Sequence, residues 1–319
     1  MDCGSIKGFN YQPGYGTSGL ELWRNFDAAV IDRDLALGKQ YFPQLNAIRL
    51  WLSLDAWQRD HARYESNFDT ALAIAAKYGI QVMPVLFNRW HDSVLDYGGI
   101  YLDHFVPAVS WLQSIDQPSA FARAVFGEHA NDPRIFAWDL CNEPFSYNCS
   151  PAEIPEIVQA EYDWLAKIHR IGKDAGTVAP ITTGIHMGHG REGIRQIEPI
   201  SDILSIHPYW TYDSPPHSKE SYEALLDDYV EFAAEVGKPL VATETCWGHL
   251  DDAKRVEIVR YTLTQLKVRK IGWLVYLLSH SLIADAHQPQ YGPVGAPGYL
   301  GFIEADGSLR AGHDVFNDF

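Results

Sequence analysis

IFAWDLCNEP (135–144) is an apolar run, polar only at Asp139 as far as Cys141, that breaks off into Asn142, Glu143 and Pro144. A run this short reads as a strand, and apolarity on nearly every position suits a parallel strand buried on both faces. The same shape recurs as KGFNYQP (7–13), AIRLWLS (47–53), QVMPVLFN (81–88), APITTGIH (179–186), ILSIHPYW (203–210), PLVATETC (239–246) and IGWLVYLL (271–278). Helical patterns lie between them over 27–42, 68–79, 151–176, 221–237 and 251–270. Gly79, Gly176 and Gly237 each follow such a segment and precede a strand, where helix stop signals belong.

Strand and helix alternate about eight times, which calls for a parallel sheet. An open dinucleotide-binding sheet would carry GxGxxG after its first strand, and GFNYQPGYG (8–16) does not match. The expected fold class is therefore α/β, a (β/α)8 TIM barrel forming a single domain over 1–319, with loop elaborations near 88–115, 187–199 and 279–299. A chain of 319 residues with 46% hydrophobic content is long enough to bury a core without a metal or disulfide.

The formal charge is −16, from 25 Lys+Arg against 41 Asp+Glu, with no basic run. Nucleic acid and anionic membrane surfaces are poor partners for such a chain, and a neutral substrate suits it better. Cys3, Cys141, Cys149 and Cys246 show no CxxC spacing, so free thiols are expected, with a Cys141–Cys149 bridge as the alternative. MDCGSIKGFNYQPGYG (1–16) has no apolar h-region or cleavage site, the pattern of a cytoplasmic protein; a chain from which a leader had been removed would be secreted. No apolar stretch reaches the roughly 18 residues of a membrane span. Nothing in the sequence speaks to oligomeric state.

In a barrel of this kind the chemistry sits at the C-terminal strand ends. Strand four ends in Asn142-Glu143-Pro144, and strand seven in Thr243-Glu244-Thr245-Cys246. Strands three positions apart on an eight-strand ring approach from nearly opposite sides, as two carboxyls flanking one bond would. A retaining glycosidase holds its carboxyls about 5–5.5 Å apart, and an inverting one roughly 6.5–9.5 Å.

WDLCNEP (138–144), HPYW (207–210) and TETCWG (243–248) together resemble the clan A glycoside hydrolases, most of all glycoside hydrolase family 5 with its cellulases and mannanases. The resemblance runs over nearly the whole chain. It implies a retaining β-glycoside hydrolase acting on a neutral β-glucan or β-mannan by double displacement, with Glu143 as acid/base and Glu244 as nucleophile and no cofactor. It also implies that Asn142 binds the sugar 2-hydroxyl, that Arg49 keeps the nucleophile ionised, and that His207 and Tyr209 form a strand-six pair, Tyr209 donating to the nucleophile. The alternatives are a transglycosylase using the same carboxylates and a carbohydrate-binding barrel without activity.

Physical chemistry runs parallel to the resemblance. A nucleophilic carboxylate needs a cation and a hydroxyl donor nearby. An acid must hold its proton, so apolar walls and the charge of Glu244 are expected to raise the pKa of Glu143. Sugars stack on aromatic faces, which makes Trp90, Trp210 and Trp247 candidate platforms, while Trp138 and Trp164 belong in the core. Relatives carry a Trp near the end of strand eight as the sugar floor; the matching position here is Tyr276, with Trp273 deeper in the strand. Asn88 and Asp92 in the strand-three loop resemble hydroxyl-binding residues of mannanase-like enzymes. His186 and His189 form an HxxH on an expected loop, without the HExxH helix or strand-one His-x-His of metal hydrolases, so no catalytic metal is expected.

Overall fold

The computed structural model describes residues 2–89, 99–106, 116–147, 149–212, 218–296 and 298–319. Among them eight strands form, one in each apolar run: β1 (Lys7–Tyr11), β2 (Ala47–Trp51), β3 (Gln81–Asn88), β4 (Trp138–Asn142), β5 (Ile181–His186), β6 (Leu204–His207), β7 (Leu240–Thr245) and β8 (Gly272–Val275). Each pairs in parallel with the next, and β8 pairs back onto β1 to close the barrel. The chain is thus a TIM barrel in a single domain.

The helices are α1 (Gly19–Arg24), α2 (Ala28–Tyr41), α3 (Leu54–Arg59), α4 (His61–Lys77), α5 (Gln117–His129), α6 (Pro155–Asp174), α7 (Gly190–Ile197), α8 (Lys219–Val236), α9 (Asp252–Val268) and α10 (Leu282–His287). Their ends follow local chemistry. Asp27 accepts from Ala29 and Val30 at the start of α2, and Asp251 from Ala253 and Lys254 at the start of α9. Gly237 ends α8 at φ 67°, a left-handed conformation that glycine adopts without strain. Helix α4 starts earlier than the expected 68, because Asp60 caps it by accepting from Arg63. The elaborations near 187–199 and 279–299 contain α7 and α10, and α5 was not read from the sequence at all.

Register sets the layers inside the barrel. Asn10 lies opposite Arg49, Asn88 opposite Asn142, and His186 opposite His207. The register shifts between Asp139 and Asn142 on β4, and between Ala242 and Thr245 on β7. Such irregularities re-aim side chains, and these two lie on the strands that lead into Glu143 and Glu244.

The main core lies between sheet and helices, where Trp138 is fully buried edge-on to Phe126 of α5 and Trp164 packs against Phe87 and Phe105. Phe9, Phe42, Phe302 and Phe316 form one aromatic cluster that ties β1 and α2 to the C-terminal turn. Burying an aromatic side chain of this kind stabilises a fold by about 1.5–3 kcal/mol. All four cysteines are free thiols, Cys149 exposed and the rest buried. Among the described residues no helix is long and apolar enough to cross a membrane.

Candidate active site

The C-terminal ends of the strands open into a cavity of about 570 Å³ lined by Asn142, Glu143 and Glu244 together with Trp51, Trp247 and Tyr276. Its volume lies within the roughly 300–1,000 Å³ of small-molecule sites. One carboxylate oxygen of Glu143, one of Glu244 and a ring nitrogen of His207 all lie within 4.8 Å of one another.

Arg49 organises the floor. It is fully buried on β2, and its Nη1 donates to Glu244 Oε1 at 2.5 Å and to Asn10 Oδ1 at 2.9 Å. Nε and Nη2 both donate to Asp139 Oδ2, at 3.0 and 2.8 Å, and Nη2 also reaches Asn142 Oδ1 at 2.8 Å. Burial disfavours the guanidinium charge, but Asp139 and Glu244 outweigh it and hold the pKa of Arg49 above its ordinary value. Tyr209 donates its hydroxyl to Glu244 Oε2 at 2.8 Å. Burial, then the charges of Glu244 and Glu143, push that phenol well above its usual range, so it stays a donor. Arg49, Asn142, Tyr209 and Glu244 thus form one connected network; Arg49 sits behind the cavity wall rather than on it.

His207 is fully buried on β6. Its Nδ1 lies 2.7 Å from Glu143 Oε1 and 3.7 Å from Glu244 Oε2, and its Nε2 is 3.1 Å from Thr243 Oγ1. This contact corrects one expectation. Burial does push the Glu143 carboxyl up, but the hydrogen bond and charge of His207, with His186 and Arg49 beyond, outweigh it and bring the pKa down to about 2. Burial acts in the expected direction, but the contacts with His207, backed by His186 and Arg49, turn the net shift downward.

Trp247 and Tyr276 stand nearly parallel, 9° apart with ring centres at 6.0 Å, and Tyr209 meets Trp247 edge-on. Behind them Arg255 of α9 is fully buried and donates to the carbonyls of Cys246 and Trp247, of Tyr276 at 2.8 Å and of Leu300 at 3.2 Å. Burial lowers its pKa to about 10. One cation thereby fixes the two strand ends that carry the aromatic walls.

Two substrate-contact expectations are corrected. Trp210 turns away from the cavity into the helical layer, against Tyr261 of α9 and under Lys219. Side chains alternate along extended backbone, so with Tyr209 facing inward Trp210 must face outward. Asn88 does not line the cavity either; its Oδ1 accepts from Asn142 Nδ2 at 2.9 Å and orients that amide. Trp90 and Asp92 lie outside the described residues. The sequence reading missed Asp139, Trp51 and His186. Trp51 was findable, since it lies two residues past Arg49 on one strand and shares its face. Asp139 carried a weaker signal as the single polar residue inside an apolar run.

No family model matches the chain. It is 31% identical over 126 residues to mannan endo-1,4-beta-mannosidase F of Aspergillus clavatus, which covers 37% of this chain and 26% of that one. It is 28% identical over 244 residues to a probable mannan endo-1,4-beta-mannosidase F of Neosartorya fischeri, covering 73% and 46%. The chain spans about half or less of the length of these curated relatives. Among solved structures, an exo-beta-1,4-mannosidase from Opitutaceae bacterium strain TAV5 superposes with a TM-score of 0.72 at 18% identity, covering 98% of this chain and 58% of that one. A glycoside hydrolase family 5 mannosidase from Rhizomucor miehei superposes at 0.68 with 13% identity, covering 98% and 91%. The curated relatives carry a partial likeness in sequence, and the solved structures carry the likeness in fold.

Proposed function

We propose that the chain is a retaining β-glycoside hydrolase acting on a neutral β-linked mannan or manno-oligosaccharide, with Glu244 as nucleophile and Glu143 as acid/base. One observation carries this reading. The two carboxylates share one cavity, and one oxygen of each lies within 4.8 Å of the other, which favours the short separation of about 5–5.5 Å in retaining pairs over the roughly 6.5–9.5 Å of inverting ones. The mannan-active relatives favour mannan over glucan, and the low Lys+Arg content favours an uncharged sugar.

In this reading Glu244, held by Arg49 and Tyr209, attacks the anomeric carbon. The Glu143–His207 pair supplies the proton that the departing oxygen takes, leaving the pair one proton short and a glycosyl ester on Glu244. Water then attacks that ester, and its proton returns to the pair as free Glu244 is regenerated. Asn142, fixed by Arg49 and Asn88, meets the 2-hydroxyl, and Trp51, Trp247 and Tyr276 enclose the ring.

The test is hydrolysis of β-mannan and of aryl β-mannosides, followed by NMR of the first-formed anomer. The β-anomer should appear first, and Glu143→Gln should lower kcat on mannan by about 10²–10⁴-fold with its circular dichroism unchanged. An α-anomer, or a nearly fully active Glu143→Gln, would contradict the reading. Binding of manno-oligosaccharides without turnover would favour an inactive carbohydrate-binding barrel, and transfer to an added acceptor sugar in place of hydrolysis would favour a transglycosylase.

A further inference from the structure

The turn after β4 bends where side chains rarely allow it. Glu143 and Phe145, on either side of Pro144, both have positive φ, at 46° and 62°. Non-glycine residues keep such conformations only where their surroundings hold them. What holds this turn is a carboxylate absent from the chemistry above. Glu161 of α6 is fully buried, and its Oε1 accepts from the Phe145 backbone N–H at 3.1 Å and from Arg89 Nε at 3.1 Å. Its Oε2 accepts from the Tyr147 hydroxyl at 2.5 Å. Arg89 ties the network back to the site: its backbone N–H donates to the carbonyl of Asn142 at 3.1 Å. Burial raises the pKa of Glu161, and Arg89, Tyr147 and the Phe145 N–H each pull it back.

The far side of the same turn faces a second cavity, of about 540 Å³, lined by Glu143, Ser146, Tyr147, His186 and His189. Glu143 lines both cavities, whereas Glu244 lines only the first. A group that leaves by accepting a proton from Glu143 departs on the side away from Glu244, which is the side of Tyr147. A plain folding ion pair between Arg89 and Glu161 would need neither the Phe145 N–H nor the Tyr147 hydroxyl. Here both groups belong to the turn that aims Glu143.

We propose that Glu161 is a positioning residue for the acid/base, holding the 143–147 turn so that Glu143 meets the departing sugar oxygen, with Tyr147 linking an occupant of the second cavity to that turn. The inference rests on the reading of Glu143 as acid/base. It makes a demand that a structural role does not: the loss on removing Glu161 depends on how much the leaving group needs a proton.

The measurement is kcat/KM, which reports the first chemical step, for manno-oligosaccharides and for 2,4-dinitrophenyl β-mannoside, whose leaving group departs without protonation. Glu161→Gln should fall about 10–100-fold on the oligosaccharide and less than about threefold on the dinitrophenyl substrate, a partial loss of the roughly 10²–10⁴-fold that general-acid assistance supplies. Tyr147→Phe, which removes one donor and keeps the ring, should show the same split at smaller size and decides the matter if Glu161→Gln fails to fold. Equal loss on both substrates, or no loss on either, overturns the proposal. Glu143→Gln is the control. If it too shows no split, the acid/base reading fails; if it shows the split and the Glu161 and Tyr147 variants do not, only the present proposal fails.

Discussion

Glu143 stands between opposing influences, and the contest between them gives a measurable prediction. Burial is the largest influence and favours its neutral form, yet His207, 2.7 Å away, together with His186 and Arg49 outweighs it and carries the pKa from an ordinary 4.5 to about 2. His207→Asn removes the first of the downward influences and leaves burial opposed only by His186 and Arg49, so the carboxyl should titrate at higher pH than in the wild type. A ¹³C titration of the Glu143 carboxyl in the two proteins reads this directly, and an unchanged value would show that His207 does not hold the charge. The sign for stability follows. A carboxyl depressed in the folded state contributes stability that is complete above about pH 4.5 and lost as pH falls toward about 2. The stability gap between wild type and variant should therefore narrow over that interval.

The strands were legible because each is an uninterrupted apolar run closed by polar residues, a pattern local enough for a single sequence to carry. The same local rule, alternation along extended backbone, separates the inward Tyr209 and Trp51 from the outward Trp210, and applying it strictly would have prevented one error and one omission. Helices α1, α3, α7 and α10 were missed because each is only 6 to 8 residues long, too short for a helical period to repeat clearly; α5, at 13 residues, was missed as well. The partners of Arg49 were out of reach of any local signal, since Asn10, Asp139 and Glu244 lie 39, 90 and 195 residues away in sequence. One glycine shows how closely the elements are fitted around them. A Cβ on Gly184 of β5 would meet His207 Nε2 at 2.6 Å and Asp139 Oδ2 at 3.1 Å. His207 has nowhere to go, being fully buried between Glu143 and Thr243. Gly184→Ala should displace that ring, lowering kcat on mannan by at least about tenfold while costing about 1–3 kcal/mol of stability in thermal or urea unfolding. Full activity in that variant would mean that the ring position is not needed.

At the scale of the whole molecule, the barrel is a device for bringing distant carboxylates together. Glu143 follows β4 and Glu244 lies one residue before the end of β7, and strand closure sets both at one mouth, with Arg49 of β2 and Tyr209, just past β6, fixing the second. The sequence showed where apolar runs stop, and so which residues stand at that mouth; it could not show the gap between them, which closure of the ring determines. That gap carries the claim that Glu244 becomes covalently glycosylated. Trapping with a 2-deoxy-2-fluoro-β-mannosyl fluoride, followed by peptide mass spectrometry, tests it most directly. A single fluoromannosyl group on the peptide containing Glu244, absent in Glu244→Gln, is the predicted result. Attachment to another residue, or turnover of natural substrate with inversion and no adduct, would contradict the account.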